Sequence, residues 1–152
     1  MQAGSIAFRT IVVPFDFSSA STGALVVAMS IAEPLESAVV LLNVVERPLY
    51  PDVVYANIPA AMAEERRDRE KRLAHLIEGR PRIRLVVHEG SAKDEIVRCA
   101  RAEHADLIVL GAHAEHGFDH WLRGSVVEHV VARAPCHVLV VKPDAARGER
   151  AA

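Results

Sequence analysis

Apolar residues gather in short, nearly continuous runs along the chain. Four of these runs are rich in leucine and β-branched residues: residues 10–13, 39–45, 106–110 and 137–141. Runs of this kind are typical of strands that are covered on both faces of a sheet. A fifth run, residues 82–87, begins by alternating charged and apolar residues, which indicates a strand at or near an edge of the sheet.

Between these runs, apolar residues recur every three to four positions, as in helices that bury one face. The predicted inward faces are, in chain order, Ala24, Leu25, Ala28, Met29 and Ala32; Leu73, Leu76 and Ile77; Ile96, Val97 and Ala100; and Val126, Val127, Val130, Val131 and Ala134. Pro34 closes the first helix and Gly79 ends the second. Ser91 and Ser125 open the third and the fourth. His129 on the last helix is predicted to face solvent.

The alternation of strand and helix predicts one doubly wound α/β domain with a mostly parallel sheet. A chain of 152 residues has room for one such core and too little for two ordinary domains. We assign residues 1–143 to this domain and expect residues 144–152 to form a disordered tail. Residues 47–59, with three prolines and two tyrosines, are expected to form a long irregular loop.

Charge and composition argue against a nucleic acid or a membrane as partner. The net charge is −2 and the pI about 6.4, so there is no electrostatic reason to expect a nucleic-acid backbone. The dense basic run at 66–72 is interleaved with acids, and the pairs Glu65–Arg69 and Asp68–Arg72 fall at i,i+4, which indicates a solvated helix face. No apolar run approaches the roughly 18 residues of a membrane span, and we expect a cytoplasmic protein.

The loop between the strand at 106–110 and the last helix is the first candidate for binding chemistry. Gly111 leaves that strand, and Gly124 precedes Ser125 at a helix start. Glycines let backbone amides approach an anion closely, and a helix N-terminus offers unpaired N–H donors, so the loop suits a phosphate chain. It is neither a Walker loop nor a G-x-G-x-x-G fingerprint. From the residues alone an ordinary turn is favoured for the glycines, and Ser125 also suits a capping box to Glu128.

Asp16 is a second candidate, because it lies between the first strand and the first helix. Its carboxylate suits ribose hydroxyls or a base amine, but the same position suits a cap or turn residue of the helix. From the residues alone we favour the cap or turn.

Histidines and cysteines do not predict a metal centre. His113, His116 and His120 are spaced as on one helix face, but the glycine between them argues against a preformed helix, so exposed loop histidines are expected. Cys99 and Cys136 lie in apolar surroundings without the spacing of a zinc or redox motif, and we expect buried free thiols.

Three segments resemble the universal stress protein family: residues 11–18, 41–46 and, above all, 111–141, which ends in the sequence APCHVLVV. The resemblance covers almost the whole chain and is weakest over residues 47–72. It implies a five-stranded parallel sheet of order 3-2-1-4-5 flanked by four helices. It also implies a homodimer in which the strand His137–Val141 pairs antiparallel with its twin, and an apolar edge strand would need such cover.

The resemblance further implies regulatory binding of ATP in a stress response, with Mg²⁺ only as a companion of the phosphates. Residues 14–16 would border the adenosine, Val44 would meet the adenine through its backbone, and the loop would hold the phosphates. The implied site consists of Pro14, Phe15, Asp16, Val44, Leu110, Gly111, Ala114, Gly124, Ser125, Val126 and Val127. No general base is visible beside a nucleophile, so no catalytic residue is assigned.

Ala114 is where the chain departs from the family pattern. ATP-binding members carry a loop of the form G-x2-G-x9-G-(S/T), and Ala114 stands at the middle glycine. A methyl group there would lie near the ligand, at a cost of about 1 kcal/mol where the glycine needs its conformational freedom. Ala114 therefore favours an alternative, a nucleotide-independent member that acts through dimer and partner contacts. A slow ATPase or other adenine-nucleotide enzyme is the second alternative.

Overall fold

Strands and helices alternate strictly along the described part of the chain. The computed structural model describes residues 7–46, 58–112 and 125–142. The elements are, in chain order, β1 Thr10–Pro14, α1 Ser19–Leu35, β2 Ala38–Val45, α2 Ile58–Leu76, β3 Ile83–Glu89, α3 Ala92–Ala102, β4 Leu107–Gly111, α4 Ser125–Arg133 and β5 His137–Val141. Within these ranges no helix has the length and apolar character needed to cross a bilayer.

The five strands form one parallel sheet of order β3-β2-β1-β4-β5, the order that the family resemblance implies. The chain moves from β1 to β2 and β3 in one direction, and then returns to place β4 and β5 on the other side of β1. The winding direction therefore reverses between β1 and β4. In sheets of this kind, ligands bind beyond the carboxyl ends of the strands at this reversal.

Helices cover both faces of the sheet, which explains the continuous apolar runs. Alternate residues of β1 belong to different cores. Ile11 and Val13 pack with the core under α1 and α2, whereas Val12 packs with the core under α3 and α4. The alternating start of β3 also has its predicted cause, since β3 is an edge strand.

Two residues predicted to face inward are exposed. Leu76 is 38% exposed at the last residue of α2, whereas Met62 and Leu73 are buried on the inner face of the helix. Ile77, just past the end of α2, packs against the same core. Val131 is 54% exposed because it lies about 100° around α4 from the fully buried Val130. The wide apolar arc predicted for α4 is therefore only partly covered.

The helix boundaries shift by a few residues from their predicted places. Pro34 lies inside the last turn of α1, which continues to Leu35 and closes at Glu36 in a left-handed conformation with φ of 56°. Gly79 has a φ of 74° and follows α2 after a short turn. The loop predicted over residues 47–59 is shorter than expected, because α2 already begins at Ile58. Residues 47–57 of that loop and the predicted tail 144–152 lie outside the described ranges.

The two cysteines are free thiols whose surroundings suppress ionisation. Cys99 is 1% exposed on α3, and burial, with a smaller contribution from the Glu103 carboxylate, raises the pKa of its thiol to about 11. Cys136 is only half-buried, less than predicted, and burial followed by the charge of Asp106 raises its thiol pKa as well. The thiolate is the nucleophilic form, so we expect Cys99 to react slowly in the folded protein.

This burial predicts slow thiol modification. In a Cys136→Ser variant at about pH 8, the raised pKa and the lack of access should make Cys99 react with Ellman's reagent at least ~10-fold more slowly than in guanidinium-unfolded protein. The reaction is followed by absorbance, with a Cys99→Ser variant as the matched control. Equal rates in the folded and unfolded protein would contradict the placement of Cys99 in the core.

Candidate functional site

A hydrogen-bonded turn joins β1 to α1 at the reversal point of the sheet. The Asp16 carboxylate accepts a hydrogen bond from the Ser18 amide at 3.0 Å. Ser18 is the N-cap of α1, and its hydroxyl accepts from the Ser21 amide at 3.1 Å. Asp16 is thus a turn residue, as the sequence favours, and it is also exposed to solvent at the carboxyl end of β1.

Asn43 fixes this turn to the neighbouring strand. Its side chain is 1% exposed, and its amide nitrogen donates to the Phe15 carbonyl at 2.6 Å. The Phe15 amide in turn donates to the Leu42 carbonyl at 2.7 Å. Sequence reasoning missed Asn43, although a single amide inside an apolar run is a signal of a buried polar contact.

The backbone of Val44 lies beyond the last paired residue of β1. The N–H and C=O of a strand residue point toward the same neighbour, and the direction alternates along the strand. The Leu42 carbonyl accepts a hydrogen bond from the Phe15 amide, so the N–H and C=O of Val44, two residues later, point to the β1 side as well. Pairing between β1 and β2, however, ends at Pro14 and Leu42. We call the space past the carboxyl end of β1, bounded by Phe15, Asn43 and Val44, the β1 gap.

Two arginines of α2 reach this region. Arg69 Nη1 donates to Asn43 Oδ1 and to the Val44 carbonyl, both at 3.3 Å. The Arg72 guanidinium lies 4.0 Å from the centre of the Phe17 ring, in a cation–π contact. The face predicted to be solvated keeps its Glu65–Arg69 ion pair, at 2.6 Å, but two of its arginines also hold α2 against the β1 gap.

Gly111 is required by packing at the end of β4. A Cβ at this position would overlap the backbone carbonyl of Ala20 and lie 2.9 Å from the Ser21 amide nitrogen. The first turn of α1 therefore crosses the end of β4 in direct contact with its backbone. This packing accounts for Gly111 whether or not a phosphate binds nearby.

The remaining predicted site residues are only partly placed. Leu110 and Val127 are buried in the core beneath α3 and α4, and Val126 is half-buried beside them. Ser125 is the first residue of α4, on the far side of the loop from Gly111.

Several predicted loop residues lie outside the described residues: Ala114, Gly124, His113, His116 and His120. The capping box between Ser125 and Glu128 stays a prediction, because it depends on that same region. Among the described residues, no three His, Cys, Asp or Glu side chains form a group that could hold a metal ion.

His129 does not face solvent as predicted. Its side chain is 16% exposed, and its Nε2 lies 3.1 Å from Asp94 Oδ1. The reason is that α3 and α4 pack side by side, which brings the first turn of α3 against the middle of α4. A helical pattern alone does not show such a contact between two helices.

The carboxyl end of β2 also organises the start of α3. Ser91 is the N-cap residue but makes no capping hydrogen bond through its side chain. The carboxylate of Glu46 instead accepts from the Ala92 amide at 2.9 Å. An acidic side chain at a helix N-terminus is favourable, and here it comes from another strand, which the sequence pattern does not reveal.

Glu95 is a buried carboxylate with two partners. It is 5% exposed, with Oε2 3.0 Å from His88 Nδ1 and Oε1 2.9 Å from Arg98 Nη1. Gly90, with a φ of 147°, leaves room for it, since a Cβ there would lie 3.1 Å from the carboxylate. The cluster joins β3 to α3, and sequence reasoning missed it, although Glu95 precedes the buried Cys99 by one helical turn.

Comparison with known proteins agrees with the doubly wound α/β fold. The sequence model described as the universal stress protein family matches residues 7–142. The chain belongs to the universal stress protein family. A universal stress protein of Methanocaldococcus jannaschii is 33% identical over 144 residues, which cover 91% of this chain and 85% of the relative.

Solved structures show the same fold. The universal stress protein UspA of Lactobacillus plantarum superimposes with a TM-score of 0.70 and 28% identity, covering 88% of this chain and 97% of the other. A universal stress protein in complex with cAMP superimposes with a TM-score of 0.62 and 26% identity, covering 90% of this chain and 99% of the other.

The packing at Gly111 predicts a stability defect that does not depend on any ligand. Gly111→Ala should lower the free energy of unfolding by about 1–3 kcal/mol, because the added methyl meets backbone that cannot rotate away. Gly23→Ala is the matched control. Gly23 lies in α1, and a Cβ added there would have nothing within 4 Å. The substitution should therefore stabilise the protein by about 0.5–1 kcal/mol.

Urea unfolding followed by circular dichroism measures both changes. A Gly111→Ala protein as stable as the parent would contradict the contact between α1 and β4.

Proposed function

We propose that this protein binds an adenine nucleotide, with ATP as the principal ligand, and acts as a regulatory protein in a stress response. The observation that carries this proposal is the β1 gap, where the Val44 backbone points past the end of β1 beside the Asp16 turn. Membership of the universal stress protein family and a relative in complex with cAMP support it. We place this activity in the cytoplasm.

The groups around the β1 gap match the chemistry of adenosine. The Watson–Crick edge of adenine carries one acceptor, N1, beside one donor, the 6-amino group. The N–H and C=O of Val44 offer the complementary pair on one side of β2. The exposed carboxylate of Asp16 lies at the adjacent strand end, where it would accept hydrogen bonds from ribose hydroxyls.

The start of α4 would hold the phosphates. Ser125 begins a helix on the edge side of the reversal point, and a helix N-terminus attracts anions through its free N–H groups and its dipole. Gly124 and Ala114 would shape the backbone before it, and Val126 and Val127 would close the site from the helix. Mg²⁺ would bind with the phosphates rather than in a protein cage.

The described residues favour binding over catalysis. The titratable side chains near the strand ends are held in structural contacts, such as the Asp16 turn and the Glu95 cluster with His88 and Arg98. A regulatory role fits this arrangement, and any hydrolysis of ATP would be slow. The second candidate is a nucleotide-independent member, and it is favoured by Ala114 at the position of the family's middle loop glycine.

Titration calorimetry with Mg-ATP tests the proposal. We expect measurable binding by the parent protein and a loss of roughly 10-fold in affinity for Asp16→Ala, because a charge-assisted hydrogen bond to the ribose is removed. Ala114→Gly should tighten binding several-fold, since about 1 kcal/mol of backbone restriction is relieved. Asp68→Ala is the control, because Asp68 is an exposed aspartate on α2.

The absence of heat with both the parent protein and Ala114→Gly would overturn the proposal in favour of the nucleotide-independent candidate. Mass spectrometry of the supernatant from denatured, freshly purified protein provides an independent test. Adenine nucleotide carried through purification is expected there.

We also propose that the protein is a homodimer formed by β5. This strand pairs with β4 and is the last in the sheet, and Leu139 on it is 38% exposed. Val131 on the neighbouring helix α4 is 54% exposed. An apolar sheet edge of this kind requires cover, and a second copy that pairs antiparallel along the same edge provides it in a closed assembly.

Sedimentation at micromolar concentration tests the dimer. The parent protein is expected at twice the chain mass and Leu139→Lys at the chain mass, because a charge would be buried at the interface. Val26→Lys, at a residue that is 60% exposed on α1, should stay dimeric. A monomeric parent protein would contradict the assignment.

A further inference from the structure

We propose that Arg69 is a specificity-determining residue of the nucleobase site, because it donates to the backbone carbonyl that an amino-purine needs. The inference rests on the proposed function, since it concerns the base in the β1 gap. Arg69 Nη1 donates to the Val44 carbonyl and to Asn43 Oδ1. The first of these is the acceptor that would receive the 6-amino group of adenine.

The contacts of Arg69 with β2 are weaker than its contacts within α2. Both β2 contacts measure 3.3 Å, beyond the usual 2.7–3.2 Å of an N–H···O bond. In contrast, Nη2 lies 2.6 Å and Nε 3.1 Å from Glu65 Oε1, one turn earlier on the same helix. The guanidinium therefore keeps its charge partner when it leaves β2.

The β1 gap does not need Arg69 to hold its shape. Asn43 remains fixed by its 2.6 Å hydrogen bond to the Phe15 carbonyl. Val44 remains fixed by its place in the β2–β3 ladder opposite His88. Displacement of Arg69 thus breaks two long hydrogen bonds, to Asn43 Oδ1 and to the Val44 carbonyl. An incoming amino group replaces the second of them.

Arg69 is distinct from its neighbours on the charged face of α2. Arg66 pairs with Glu70 at 2.9 Å and approaches Glu89 at 3.8 Å, and its side chain is 45% exposed. The Arg69 side chain is 26% exposed and is directed toward β2. Substitution of Arg66 therefore removes the same charge from the same helix without changing the acceptors of the β1 gap.

This competition predicts that the parent protein discriminates only weakly between purines with and without a 6-amino group. The amino group of adenine competes with Arg69 for the Val44 carbonyl, so it contributes little net affinity. A purine with hydrogen in place of the amino group leaves Arg69 where it is and loses nothing. Without Arg69, no other described side chain donates to the Val44 carbonyl, and the hydrogen bond from the amino group becomes favourable.

Calorimetry with two ligands, Mg-ATP and the Mg complex of purine riboside triphosphate, tests the inference on the full chain. The parent protein should bind both within about two-fold of each other. Arg69→Met keeps the aliphatic stem and removes the donors, and should bind ATP about five-fold more tightly with the affinity for the analogue unchanged. Arg66→Met should behave like the parent protein.

Each other outcome overturns a defined step. Equal ATP affinity of the parent protein and Arg69→Met would overturn the competition while the proposed function stands. Weaker binding of both ligands by Arg69→Met would indicate that Arg69 contacts the phosphates, and would also overturn the proposed competition with the amino group. No binding of ATP by either protein would overturn the proposed function itself. If Arg69→Met fails to fold, a preference of the parent protein for ATP over the analogue of more than about ten-fold overturns the inference.

Discussion

The unequal length of two neighbouring strands creates the candidate site. β1 stops pairing at Pro14, whereas β2 continues to Val45 and stays in the sheet through its pairing with β3. Val44 therefore carries backbone groups directed at a strand that has already turned away. The Asp16 turn, the Asn43 amide and the Arg69 guanidinium are all arranged around that one mismatch.

Patterns within single elements were predicted well from the sequence, because they depend only on burial and period. The strand runs have covered faces on both sides, and β3 alternates because it is an edge. What the pattern does not contain is which elements meet. His129 pairs with Asp94 across two helices, and Glu46 caps a helix from the end of β2. These contacts depend on the angle and height at which elements pack, so no spacing rule reveals them.

Gly111 shows how one residue can have two explanations. After a strand and before a helix it suggests an anion-binding loop, but the structure gives a sufficient cause in the backbone of Ala20 and Ser21. A glycine that is needed for packing is poor evidence for a phosphate. The geometry of Val44, which the sequence alone does not show, is the stronger argument for a nucleotide.

The same reasoning changes the weight given to Ala114. The end of β4 is shaped by packing against α1, so the proposed phosphate loop would be only one part of the site. The β1 gap is built by β1 and β2, independently of that loop. In the proposed site, affinity for the base would then depend on Arg69 and β2, and affinity for the phosphates would depend on the loop and α4. A chain built in this way can lose one set of contacts and keep the other, because the two lie on different elements.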